Sequence, residues 1–147
     1  MILLDVNILV HAFHGGSPEH QAYRDWLEAV VADDAAFGVS ELVLSGFVRV
    51  ATHPRVFDPP APLADALAFA SALRSQPNAI IVRPGDRHWE IFERLATAAR
   101  ARGNLIPDAY LAALAIEHGA EWITADRDFS RFPGLRWRHP LDGPAPT

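Results

Sequence analysis

Met1-Ile2-Leu3-Leu4-Asp5-Val6-Asn7 opens the chain. Four apolar residues closed by an acid make a short buried strand. Asn7 to Phe13 then continues as a helix in which Ile8, Leu9, Val10 and Phe13 leave little exposed face. A strand running straight into a helix is the first half of a parallel β-α-β unit. Sheets of that kind bind their ligands beyond the carboxyl ends of the strands, which is where Asp5 falls.

Strands and helices keep alternating downstream. Ser17-Pro18-Glu19 offers a capping serine, a proline at the first helical position and an early acid, which predicts a helix to about Val31. Ala35 to Val39 reads as the second strand. Ser40 then caps a helix that begins at Glu41 and reaches about His53. Four prolines between His53 and Pro62 require a loop. A helix follows from Leu63 to Ser75, with Leu63, Leu67, Ala70 and Leu73 as its core stripe. Ile80 to Val82 form the third strand. Asp86 caps a helix carrying Trp89, Phe92, Ala96 and Ala99 at helical spacing, and Gly103 ends it. Pro107 starts another helix, with Asp108 in its first turn and Leu111, Leu114, Ala115 and His118 on its inner side. Trp122 to Thr124 and Leu135 to Arg138 are the last strands, separated by a turn from Asp126 to Phe132.

This alternation predicts an α/β fold, a three-layer α/β/α sandwich in which right-handed crossovers place helices on both faces of a central parallel sheet. The 147 residues suit one domain over residues 1–141, with 142–147 expected to be a disordered tail. Cys is absent, so disulfides and thiolate metal sites are excluded. No signal-like segment and no apolar run of membrane-spanning length is present, so a cytoplasmic protein is expected. The formal charge is −5, and every one of the 13 basic residues is Arg. The P-loop lysine and the Schiff-base lysine are therefore excluded, and any nucleic-acid binding must rest on local arginines or bound cations.

Asp5, Glu41, Asp108 and Asp126 each fall at a strand end or a helix start. Taken singly, each is explained as an acid that caps a helix or a turn. Independent capping acids would scatter to both edges of the sheet, whereas these four fall on one. Such a set, all oxygen donors, suits Mg²⁺ or Mn²⁺ better than zinc. Asn7 and Thr124 are auxiliary groups that could orient the carboxylates, or local caps. Asp128 is either an auxiliary ligand or a cap and partner of Arg131. The seven histidines lack metal-ligand spacing, and His11 is expected to be a packing residue. Trp26, Trp89 and Trp122 are expected in the core or at an interface.

Leu4-Asp5-Val6-Asn7, Ser40-Glu41, Pro107-Asp108-Ala109 and Thr124-Ala125-Asp126-Arg127-Asp128-Phe129, in this order, resemble the PIN-domain ribonucleases and, more narrowly, the VapC toxins. The similarity extends through Thr52-His53-Pro54-Arg55-Val56-Phe57, Arg102-Gly103-Asn104-Leu105 and Phe132-Pro133-Gly134-Leu135-Arg136-Trp137. It implies a PIN-like sandwich and a divalent-metal-dependent endoribonuclease. It also implies the toxic half of a type II toxin–antitoxin pair, a homodimer neutralised by a small antitoxin. Asp5, Asp108 and Asp126 would be metal ligands, with Glu41 supporting a second site or the attacking water. Arg100, Arg102, Arg127, Arg131, Arg136 and Arg138 enrich the second half in basic residues, some of which could bind RNA phosphates, and Arg127, between two acids, is the best single candidate. Most other arginines are expected on the solvated surface or paired with Glu93, Glu117 or Glu121. The rival reading is a non-catalytic PIN-like module that binds RNA or a partner. A phosphoryl-transfer domain with an aspartyl nucleophile is disfavoured because such sites normally also use Lys.

Overall fold

The computed structural model describes residues 1–143. The order is β1 (Ile2–Leu4), α1 (Val6–Phe13), α2 (His20–Ala32), β2 (Phe37–Val39), α3 (Glu41–Ala51), α4 (Leu63–Arg74), β3 (Ala79–Ile81), α5 (His88–Ala98), α6 (Leu105–Glu117), β4 (Glu121–Ile123) and β5 (Trp137–Arg138). A 3-10 turn, Arg127–Arg131, joins the last two strands. Residues 144–147, most of the expected tail, lie outside the described residues. Asp142, its first residue, is held by Arg127 (Nη2 to Oδ2, 3.0 Å).

All neighbouring strands are parallel, in the order β3-β2-β1-β4-β5. The chain builds outward from β1 to β3, then returns across the sheet to β4. Right-handed crossovers therefore send α1 to α4 to one face and α5 and α6 to the other. The packing agrees: α1 lies against α2 and α3, α3 against α4, and α5 against α6. Because β1 and β4 are neighbours whose connections leave in opposite directions, their carboxyl ends form the switch point where open α/β sheets place a ligand.

The core fills the space between the layers. Leu3, Phe37, Trp122 and Ile123 of the strands meet Ile8, Leu9, Phe47, Leu95 and Leu114 of the helices, all almost wholly buried. Trp26 and Trp122 are in that core as expected, but Trp89 is 61 % exposed. On α5 the buried residues are His88, Ile91 and Leu95, one position N-terminal to the expected stripe. His88 makes this possible by bonding through Nε2 to the Tyr110 carbonyl oxygen at 2.9 Å, so a polar ring takes the inward place. On α4, Ala66, Ala70 and Leu73 are buried while Leu63 and Leu67 are exposed, because small alanines permit the close approach to α3.

Three helix ends also differ from expectation. Ser17 does not cap α2. The helix starts at His20 after Glu19, which has a left-handed backbone (φ 58°) and no capping side-chain bond. Asp86 does not cap α5 either, and Glu117 at the end of α6 reaches across to accept from the Gly85 and Arg87 amides at 2.7 and 3.0 Å. A Cβ at Gly85 would lie 2.8 Å from that carboxylate, so glycine permits the approach. The left-handed residue that follows α5 is Arg100 (φ 51°), while Gly103 (φ 56°) turns the chain into α6, whose third residue is Pro107. Ser40 caps α3 as expected, accepting from the Val43 amide at 3.4 Å.

Candidate active site

Asp5 stands at the end of β1 and at the start of α1, and it is 6 % exposed. Its backbone amide bonds the Ile123 carbonyl at 3.0 Å, which ties it to the end of β4. One carboxylate oxygen accepts from the Val6 amide at 2.7 Å. The other accepts from the Thr124 hydroxyl at 2.7 Å and from the Asn7 amide nitrogen at 3.2 Å. Asn7 in turn accepts from the Ala125 amide at 3.1 Å, and Thr124 Oγ1 accepts from the Asp126 amide at 3.0 Å and from Asn7 Nδ2 at 3.3 Å. Thr124 is wholly buried. Asn7 and Thr124 thus stitch the ends of β1 and β4 together and fix the Asp5 carboxylate in one orientation.

Asp126 accepts from the Asp128 amide at 2.9 Å and so caps the 3-10 turn. Asp108 comes from the first turn of α6, in the other helical layer. The charges acting on it are those of Asp5, Asp126 and Asp128, so four acids from three segments share one neighbourhood. Burial first, then repulsion from these three, pushes the Asp108 carboxyl up to about 6. Burial likewise pushes Asp5 up to about 6, against the bonds from Thr124 and Val6 and with the Asp126 charge adding to the rise. Crowded carboxylates that resist ionisation are a recognised mark of a functional site.

Glu41 occupies the same carboxyl edge, just beyond β2, and is not among the charges that act on Asp5 and Asp108. Its carboxylate is held by Arg74 Nε at 3.1 Å and Arg83 Nη2 at 3.3 Å. These partners lie 33 and 42 residues away in sequence, a separation no local pattern signals. Arg127, between two acids in sequence, is paired with Asp142. Of the pairings expected for the other arginines, Arg138 with Glu121 is present at 3.2 Å. Glu117 is occupied by backbone amides, and Glu93 accepts from the Trp89 indole. His11 stacks on Tyr23, and burial lowers its proton affinity.

Among the described residues, no three His, Cys, Asp or Glu side chains converge tightly enough to enclose a metal ion. The donors are nevertheless all carboxylate oxygens, and their mutual repulsion is relieved by a cation. Mg²⁺ keeps several waters and is commonly held through one or two carboxylates, so an open acidic edge fits a hydrated ion better than a closed cage would. The residues present fit the group: Asp5, Asp108 and Asp126 are the ones that could hold it.

A parallel α/β/α sandwich with carboxylates gathered at its switch point defines a class of domain, and comparison with known proteins assigns it. The PIN domain profile matches residues 2–135. Ribonuclease VapC43 of Mycobacterium tuberculosis is 49 % identical over 143 residues, covering 97 % of each chain. Among solved structures, VapBC2 from Rickettsia felis, bound to a DNA fragment from its promoter, superimposes with a TM-score of 0.67 at 21 % identity, covering 94 % of this chain and 98 % of the other. A toxin–antitoxin complex from Klebsiella pneumoniae does so with a TM-score of 0.61 at 23 % identity, covering 95 % and 98 %. The chain belongs to the PIN-domain family and, within it, to the VapC ribonucleases.

Proposed function

We propose that this protein is the toxin of a type II toxin–antitoxin pair, a Mg²⁺- or Mn²⁺-dependent endoribonuclease that hydrolyses RNA phosphodiester bonds at the Asp5, Asp108 and Asp126 edge. The observation that carries the reading is the crowding of these carboxylates at the β1/β4 switch point. The relatives' name as ribonucleases supports the reaction. A bound divalent cation would supply charge neutralisation at the phosphate and would make an attacking water more acidic. Asp5 contributes a carboxylate that Thr124 and Asn7 prevent from rotating. Asp108 approaches from the opposite layer and Asp126 from the turn beyond β4, so the reacting phosphate is met from two sides. Asp128 is an auxiliary acid. Glu41 acts from the same edge only when its two arginines release it, so its substitution costs less activity than that of the aspartates.

Solved neighbours that are toxin–antitoxin assemblies support a small protein antitoxin as partner. Exposed Leu63, Leu67 and Trp89 support a homodimer, which light scattering at micromolar concentration would detect. We place the protein in the cytoplasm. No helix among the described residues is long and apolar enough to cross a membrane.

The test is digestion of total RNA by antitoxin-free protein with Mg²⁺, Mn²⁺ or EDTA, beside Asp5→Asn and Asp108→Asn. Metal-dependent fragments lost in both variants are expected. The rival reading is a PIN-like module that binds without cutting. Intact RNA from a folded, metal-binding protein would select that reading.

A further inference from the structure

Arg100, Arg102 and Arg131, with Leu105, line one cleft of about 500 Å³. Among the described residues none of the three takes part in an ion pair, whereas Arg24, Arg74, Arg83, Arg127 and Arg138 each do. Three arginines without an ion-pair partner lining one hollow concentrate positive charge on a protein whose overall charge is −5. A guanidinium also offers the planar fork that matches a phosphate.

The cleft and the acidic edge draw on the same two segments. Leu105 opens α6, one helical turn or about 5 Å along the axis from Asp108. Arg131 closes the 3-10 turn that Asp126 caps. Arg100 adds an independent sign. Its backbone is left-handed (φ 51°), a conformation that glycine or asparagine usually fills after a helix. A long charged side chain at a position that favours glycine is consistent with a use for that side chain.

We infer that the Arg100, Arg102 and Arg131 cleft holds the RNA backbone at a phosphate next to the one being cut, which sets the strand's register across the aspartates. This inference rests on the ribonuclease reading and adds the place where the substrate is gripped.

The test is binding of a fluorescent, mixed-sequence, single-stranded oligoribonucleotide in EDTA, where cleavage is suppressed, as a function of salt. Arg100→Gly, Arg102→Gln and Arg131→Gln are compared with the wild type and with Arg24→Gln on α2. Each cleft variant is expected to weaken binding several-fold and to reduce the log–log salt slope by about 0.7, while Arg24→Gln leaves both unchanged. Arg100→Gly relaxes the backbone, so its thermal midpoint should equal or exceed that of the wild type, which separates lost binding from lost folding. An unchanged salt slope in all three variants would overturn the inference. So would normal RNA affinity coupled to lost binding of poly-glutamate, which would assign the cleft to an acidic protein. Cleavage in Mg²⁺ on the same preparations keeps the two readings apart. A wild type that grips RNA through the cleft without cutting it would defeat only the ribonuclease reading, whereas variants that cut with unchanged KM would defeat only the cleft.

Discussion

Asp108 and Asp5 ionise with difficulty in the folded protein, and this has a definite sign in stability. Each carboxyl titrates near 3.8 when unfolded and at about 6 when folded. Between those values the native state binds more protons than the unfolded state, so stability is full below the lower value and is lost as pH rises through the upper one. For Asp5, which is buried, the contribution is on the order of 3 kcal/mol. Asp108→Asn removes the Asp108 part of this cost. In EDTA it should therefore unfold at a higher denaturant concentration than the wild type at about pH 8, with the difference gone near pH 3.5. Added Mg²⁺ should stabilise the wild type at the higher pH far more than at the lower one, because a metal ligand must be deprotonated. Thr124 offers a second test at this scale. Its buried hydroxyl serves Asp5, Asn7 and the Asp126 amide at once. Thr124→Val should cost about 2 kcal/mol in urea denaturation, and Thr124→Ser clearly less.

At the scale of elements, the strands and most helices were legible because apolar period and capping are local. Asp5 after Leu4 and Ser40 before Glu41 announced two edges of the fold in a few residues each. What was not legible depended on partners distant in sequence. Glu117 in place of Asp86 holds the turn before α5, and nothing near Gly85 in sequence points to it. Glu117→Ala should destabilise by about 1–3 kcal/mol and speed hydrogen exchange at the Gly85 and Arg87 amides before any other region. The inner face of α5 lies one residue before the apolar stripe because Trp89 outweighs His88 on any apolar scale, while the Tyr110 carbonyl that satisfies His88 lies on α6. The site followed the same rule. Asp5, Asp108 and Asp126 could be grouped from their places at strand and helix ends. The arginines that engage Glu41, and the Asp142 that engages Arg127, became visible only once the chain was folded.

At the scale of the whole molecule, the strand order makes a site possible. Since the chain leaves β1 toward β2 and returns past it to β4, Asp5 and Thr124 become neighbours across 119 residues of sequence. The acids that crowd there are costly to a metal-free fold, and that cost is the expected counterpart of activity. The arginine cleft gives an acidic protein a place to meet a polyanion. The most direct measurement is the single-turnover rate of RNA cleavage by wild type and Asp108→Asn, each shown to be folded, across a titration from EDTA to excess Mg²⁺. Cleavage that rises with metal in the wild type and stays absent in the better-folded variant is the expected result. Cleavage that survives EDTA, or persists in Asp108→Asn at any metal concentration, would contradict a metal-dependent carboxylate site at this edge.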